Sequence, residues 1–183
     1  MLLQVLGPVT VTGDDGSPVQ FRPRERTLLA VLLLRAGQPC QTNMLADSVQ
    51  GGKQPIHPEA AVRHHMCRIR QALERQGLPP LVTKMYRAYQ ADPPAGTLDL
   101  QRFRIFLAAA HMAHTEGDRH SAAELAAKAL ACWPNGRERL PDLPDTPELT
   151  AIAYQLALER HQAQTWLTSL QPDLAGTKSS SGS

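Results

Sequence analysis

Pro58-Glu-Ala-Ala-Val-Arg-His-His-Met-Cys-Arg-Ile-Arg-Gln-Ala-Leu-Glu-Arg75 decides the reading of this chain. At about 100° per residue, Val62, Met66, Ile69 and Leu73 fall in one narrow stripe of a helix, while Arg63, His64, Cys67, Arg68 and Gln71 fan across the remainder. The stripe needs a core to dock on. The outer face, with Arg70 at its border and Glu74 as the one acid near its end, is what a helix resting on polyanionic DNA presents. A solvated surface helix has the same composition, so the neighbouring elements have to separate the two readings.

Working towards the N-terminus, Gln50-Gly51-Gly52 closes a short helix read as Asn43 to Val49, with Thr42 as its N-cap. Before it, Pro23 opens a helix through Arg35 that stops at Gly37 and buries Leu28, Leu29, Leu32 and Leu33. Residues 2 to 12 are rich in β-branched side chains and broken at Gly7-Pro8, and Val19-Gln-Phe21 reads as a second short strand after the Gly13-Asp-Asp-Gly16 turn. Towards the C-terminus, Gly77 and Pro79-Pro80 end the basic helix, and Leu81 to Ala91 reads as a closing strand or hairpin with Lys84, Tyr86 and Arg87 near its middle. Strands, three helices and a closing strand or hairpin are the order of a winged helix-turn-helix, in which the third helix enters the major groove. That order, more than the charge, points to DNA.

The charge agrees. Residues 1 to 94 carry 11 Lys/Arg against 7 Asp/Glu, and residues 95 to 183 carry 8 against 10. Residues 53 to 89 alone hold 7 basic and 2 acidic side chains plus three histidines. Aromatics make up 4% of the 183 residues, too few for a base-stacking single-strand binder. The longest apolar run, Leu28 to Leu34, is far short of the roughly 20 residues that cross a bilayer. The first residues read as strand, with no basic n-region or cleavage site, so a secretory leader is not expected, and Cys40, Cys67 and Cys132 form no CxxC or disulfide framework. A cytoplasmic protein with no membrane contact is expected.

Asp92-Pro-Pro-Ala-Gly96 reads as a linker to an all-helical second part. Helices are expected over Asp99 to Glu116, Ser121 to Trp133 and Glu148 to about Leu170. The first two are rich in alanine and resemble one tetratricopeptide hairpin. The expected fold class is α+β: a winged helix over 1–94, a TPR-like helical domain over 95–172 and a disordered low-complexity tail over 173–183.

Leu6-Gly-Pro-Val-Thr-Val11, Arg26 to Gly37, Leu45-Ala-Asp-Ser-Val49, Arg68-Ile-Arg-Gln-Ala-Leu73 and Asp99-Leu-Gln-Arg-Phe103 occur in an order that resembles Streptomyces antibiotic regulatory proteins. The resemblance runs from about residue 4 to about residue 170. It implies an OmpR-like winged helix followed by a bacterial transcriptional activator domain. It further implies a homodimer on direct repeats upstream of antibiotic biosynthesis genes, where RNA polymerase is recruited through its sigma factor region. Carried over residue by residue, the base-reading helix is Ala60 to Glu74. Arg63, His64, Cys67 and Arg68 match groove-facing positions, with Gln71 on the same face. Arg68 is the expected bidentate reader of guanine. Arg70 and Arg75 are expected on phosphates, together with Thr42 and Lys53, and the wing over Val82 to Ala91 offers Thr83, Lys84 and Arg87 to backbone or minor groove. The sequence departs from the family at Gln50-Gly51 in place of Trp-Gly, at Ala88-Tyr89 in place of Gly-Tyr, at Met85 where an arginine is usual in the wing, and in a shorter helical part.

His64-His65 and His111 with His114 invite a metal, but neither pair has further ligands at a standard spacing. No phosphate loop, GxGxxG or GxSxG motif occurs, so neither a cofactor nor catalysis is expected. Two other functions fit the same residues: a helical adaptor whose second part binds a protein, and a regulator gated by a small-molecule effector held between the two parts or in the alanine-rich helical groove.

Overall fold

The computed structural model describes residues 1–49, 57–134 and 140–176, so Lys53 and Gln50-Gly51 lie outside the described residues. The chain opens with a hairpin of β1 (Leu2–Gln4) and β2 (Thr10–Thr12), paired antiparallel with Leu3 opposite Val11. Val19 to Phe21 is not a strand. Val19 N–H donates to the Val11 carbonyl at 2.8 Å and Pro18 makes one bridge to Thr12, but with prolines at 18 and 23 the segment cannot sustain a ladder. Its alternation is nonetheless real, since Val19 and Phe21 are buried.

Helix α1 (Pro23–Leu34) starts at a proline whose missing N–H costs nothing there, and Glu25 accepts the Arg22 N–H at 2.8 Å. Leu28 through Leu33 are all buried, so the C-terminal half of α1 is apolar all round and forms the centre of the core. A two-residue strand β3 (Cys40–Gln41), unmarked in the sequence, leads into α2 (Thr42–Val49). Thr42 is the first helical residue rather than a cap. Helix α3 (Pro58–Arg75) buries Val62, Met66, Ile69 and Leu73, the stripe read from the sequence, against α1 and α2. Gly77, at φ +64°, turns the chain out of α3, where a side chain would be strained. The expected closing strand is a hairpin, β4 (Val82–Met85) and β5 (Ala88–Ala91), with β5 central in the sheet order β3-β5-β4.

Helices α4 (Asp99–Thr115) and α5 (Arg119–Leu130) form the alanine-rich antiparallel pair, with Ala110, Ala122, Ala126 and Ala129 buried. Asp118 caps α5 by accepting the Ser121 N–H at 2.9 Å. Helix α6 (Pro147–Gly176) continues past the expected end near Leu170, through four residues read as tail. Trp166 stacks on His111 at 4.1 Å between ring centroids and meets His114 edge-on at 5.8 Å, which gives both histidines a packing role.

The Asp92–Gly96 stretch does not separate two cores. Leu3 N–H donates to the Thr97 carbonyl at 2.9 Å, and one contiguous cluster joins Leu3, Val5 and Leu6 to Leu98, Phe103, Trp133 and Leu156. The Asp99 carboxylate accepts N–H groups of Val5 and Leu6 at 3.0 Å, and Asp142 accepts Val9 N–H at 2.7 Å and Arg26 Nε at 3.0 Å. The seam is close enough that a Cβ on Gly7 would sit 2.4 Å from Cγ of Pro134. Gly7→Ala is therefore expected to force the proline ring away and lower stability by about 1 to 3 kcal/mol. An unchanged melting temperature in differential scanning calorimetry would show that the seam opens at no cost.

Candidate nucleic-acid interface

Helix α3 stands on its apolar stripe, which fixes what the other faces do. Arg63, His64, Cys67 and Gln71 are exposed, one turn apart in two adjoining rows, and Gln71 Nε2 lies 3.6 Å from Cys67 Sγ. Arg75 is exposed at the C-terminal end of the helix.

Arg68 departs from expectation. Its Nε donates to Glu25 Oε1 at 2.6 Å, and Glu25 is only 3% exposed. Burial works to raise the Glu25 carboxyl, but the Arg22 N–H and then the hydrogen bond and charge of Arg68 overcome it and hold the group below the usual carboxylate range. The guanidinium expected on guanine is thus engaged across the α1–α3 contact. Arg70 is likewise half-buried, its Nε donating to the Val82 carbonyl at 3.2 Å, where it ties α3 to the hairpin. Behind it the phenol of buried Tyr89 is pushed up by burial, with the charges of Arg70 and Arg63 opposing. His65, half-buried beside Arg68, has its pKa lowered by burial against the pull of Glu25, so it is held neutral more firmly than a free histidine.

Between the N-terminal turns of α3 and the β4–β5 hairpin lies an open cleft of about 690 Å³. Arg63 lines it from the helix side, Lys84 and Arg87 from the hairpin, and Thr42 from the start of α2, so four residues singled out from the sequence converge on one concavity. Glu59 is the one acidic side chain among the lining residues. Thr83 is exposed on the hairpin, whereas Thr42 is buried and its N–H donates to the Arg87 carbonyl at 2.9 Å. Thr42 therefore sets the hairpin against α2 through its backbone.

Two lining residues were missed in the sequence. His57 precedes α3 at the cleft edge, and Tyr86, at the hairpin tip, is 91% exposed. Tyr86 was legible as the tyrosine between Lys84 and Arg87, but only the two-residue turn places it outward. Among the described residues no group of three or more His, Cys, Asp or Glu side chains is placed to hold a metal, and no helix is long and apolar enough to cross a membrane.

The family model for "Transcriptional regulatory protein, C terminal" matches residues 16–89, the span of α1, α2, α3 and most of the hairpin. Among curated proteins, the regulatory protein AfsR of Streptomyces coelicolor is 35% identical over 130 residues, covering 70% of this chain and 13% of AfsR. The transcriptional regulatory protein EmbR of Mycobacterium tuberculosis is 27% identical over 164 residues, covering 88% of this chain and 42% of EmbR. The solved structure of M. tuberculosis EmbR in complex with a low-affinity phosphopeptide superposes with a TM-score of 0.85 at 24% identity, over 95% of this chain and 46% of that one. The chain thus spans less than half the length of these relatives, and the superposition extends through both the winged helix and the helical part. Residues 16–89 thus carry a domain of the family described as "Transcriptional regulatory protein, C terminal", and the chain shares the fold of EmbR through both its winged helix and its helical part.

Proposed function

We propose that this chain is a cytoplasmic, sequence-specific DNA-binding transcriptional activator of a secondary-metabolite gene cluster, with no catalytic activity of its own. It binds direct repeats as a homodimer and recruits RNA polymerase beside it. The observation that carries the reading is the cationic cleft flanked by the exposed face of α3. An α-helix fits the major groove; this one presents Arg63, His64, Cys67 and Gln71 outward, and Lys84 and Arg87 stand across the cleft from it. The names of the relatives, both regulatory proteins, support it.

On this geometry base reading falls to Arg63, His64, Cys67 and Gln71, and phosphate neutralisation to Lys84, Arg87 and Arg75. Gel-shift titrations over a range of salt separate the two roles. Arg63→Ala is expected to cost about 1 to 3 kcal/mol on the preferred duplex and to relax the choice of base at one position. Lys84→Ala is expected to weaken preferred and scrambled duplexes alike and to reduce the salt slope by roughly one. No salt-sensitive shift on any duplex would remove the DNA reading in favour of a protein-binding adaptor.

A further inference from the structure

The tip of the β4–β5 hairpin carries an apolar surface that the fold does not use. Met85 and Ala88 are still paired, so only Tyr86 and Arg87 make the turn. Tyr86 is 91% exposed and Met85 45%, consecutive residues at the end of an otherwise polar hairpin carrying Thr83, Lys84 and Arg87. Arg87 holds a left-handed φ of +52°, the one positive value at a non-glycine among the described residues. That conformation costs a non-glycine residue about 1 kcal/mol. A glycine there would remove the strain and the charge together, so the strained arginine keeps a cation beside the exposed ring.

The position of the tip follows from the cleft. Arg63 on one wall and Lys84 and Arg87 on the other favour a polyanion between them, such as one sugar–phosphate strand. With α3 in the major groove, whatever lies across a single backbone strand from it lies in the minor groove, because the two grooves alternate across each strand. Tyr86 and Met85 therefore reach the minor groove flanked by the cations that hold its phosphates. Large apolar side chains inserted there partly unstack a base step and kink the duplex.

We infer that Tyr86, backed by Met85, is a minor-groove wedge that bends the DNA beside the bases read by α3. It favours a deformable pyrimidine–purine step at a position the helix never touches. This inference rests on the DNA-binding reading above.

The test uses the full chain and duplexes of about 30 bp that it selects from a random-sequence pool, end-labelled for energy transfer. The wild type is expected to shorten the end-to-end distance on binding. Tyr86→Ala is expected to leave the thermal melt unchanged, since the side chain is 91% exposed, to straighten the duplex and to weaken binding roughly tenfold. Tyr86→Phe should restore the bend, whereas Lys84→Ala should weaken binding and keep it. Replacing the flexible step beneath the tip by G·C pairs should penalise the wild type more than Tyr86→Ala. A bound but straight duplex, or equal bends with wild type and Tyr86→Ala, overturns the wedge and leaves the DNA reading standing. Failure to select any duplex overturns both.

Discussion

Replacing Asp99 by alanine should destabilise the chain by several kcal/mol, and by more at pH 5 than at pH 7. The carboxylate is 4% exposed and accepts the N–H groups of Val5, Leu6 and Leu100, the first two from the far side of the seam. Without it two buried donors lose their acceptor, at about 1 to 3 kcal/mol each. The pH dependence comes from the group itself. Burial pushes its pKa up to about 6, although the Leu6, Val5 and Leu100 N–H groups and the charge of Arg102 pull it down. A raised carboxyl means that the folded chain binds the proton more tightly than the unfolded one. Its contribution is thus fully present below the unfolded value near 4 and is lost as pH rises through about 6. The alanine variant lacks that slope, so the two stability curves converge as pH rises. Urea denaturation at several pH values measures the difference. A gap that is constant with pH would show that Asp99 stays ionised throughout, and a gap under about 1 kcal/mol would show that the seam repairs itself.

This carboxylate also marks how far the sequence could be read. The amphipathic helix was legible because Val62, Met66, Ile69 and Leu73 recur at helical spacing, and a period of that kind survives into packing unchanged. The exposed row of Arg63, His64, Cys67 and Gln71 was legible for the same reason. What depends on partners distant in sequence was not. Asp99 looks like the first acid of a helix, and nothing local marks it as the acceptor for residues 93 and 94 positions earlier. The two residues of β3 are too short for any pattern, and they become a strand only because β5 runs beside them. The linker reading of Asp92–Gly96 took composition for separation: its prolines and glycine make a turn, while Leu98 and Phe103 just beyond it enter the same core as Leu3.

Arg68 is the sharpest such case, and its substitution separates a structural role from a recognitive one. On a helical wheel Arg68 falls about 100° from Ile69, outside the buried stripe, so the wheel alone places it on the outer face. The acceptor that settles the matter is Glu25, 43 positions away on α1. Arg68→Ala would leave a 3% exposed carboxylate without its cation, a change that costs about 3 to 5 kcal/mol for a fully buried pair. Because the arginine side chain is itself 34% exposed and water can reach part of the site, about 2 to 3 kcal/mol is expected here. The double variant Glu25→Leu with Arg68→Met removes both charges and should recover most of that loss, less the capping contribution of Glu25 to the Arg22 N–H, about 1 kcal/mol. Well below its melting temperature, the Arg68→Ala variant should keep the ratio of affinities for preferred and scrambled duplexes, because α3 still projects Arg63, His64, Cys67 and Gln71. The opposite pair of results, an unchanged melt with a collapsed affinity ratio, would mean that Arg68 leaves Glu25 on binding and reads a base itself.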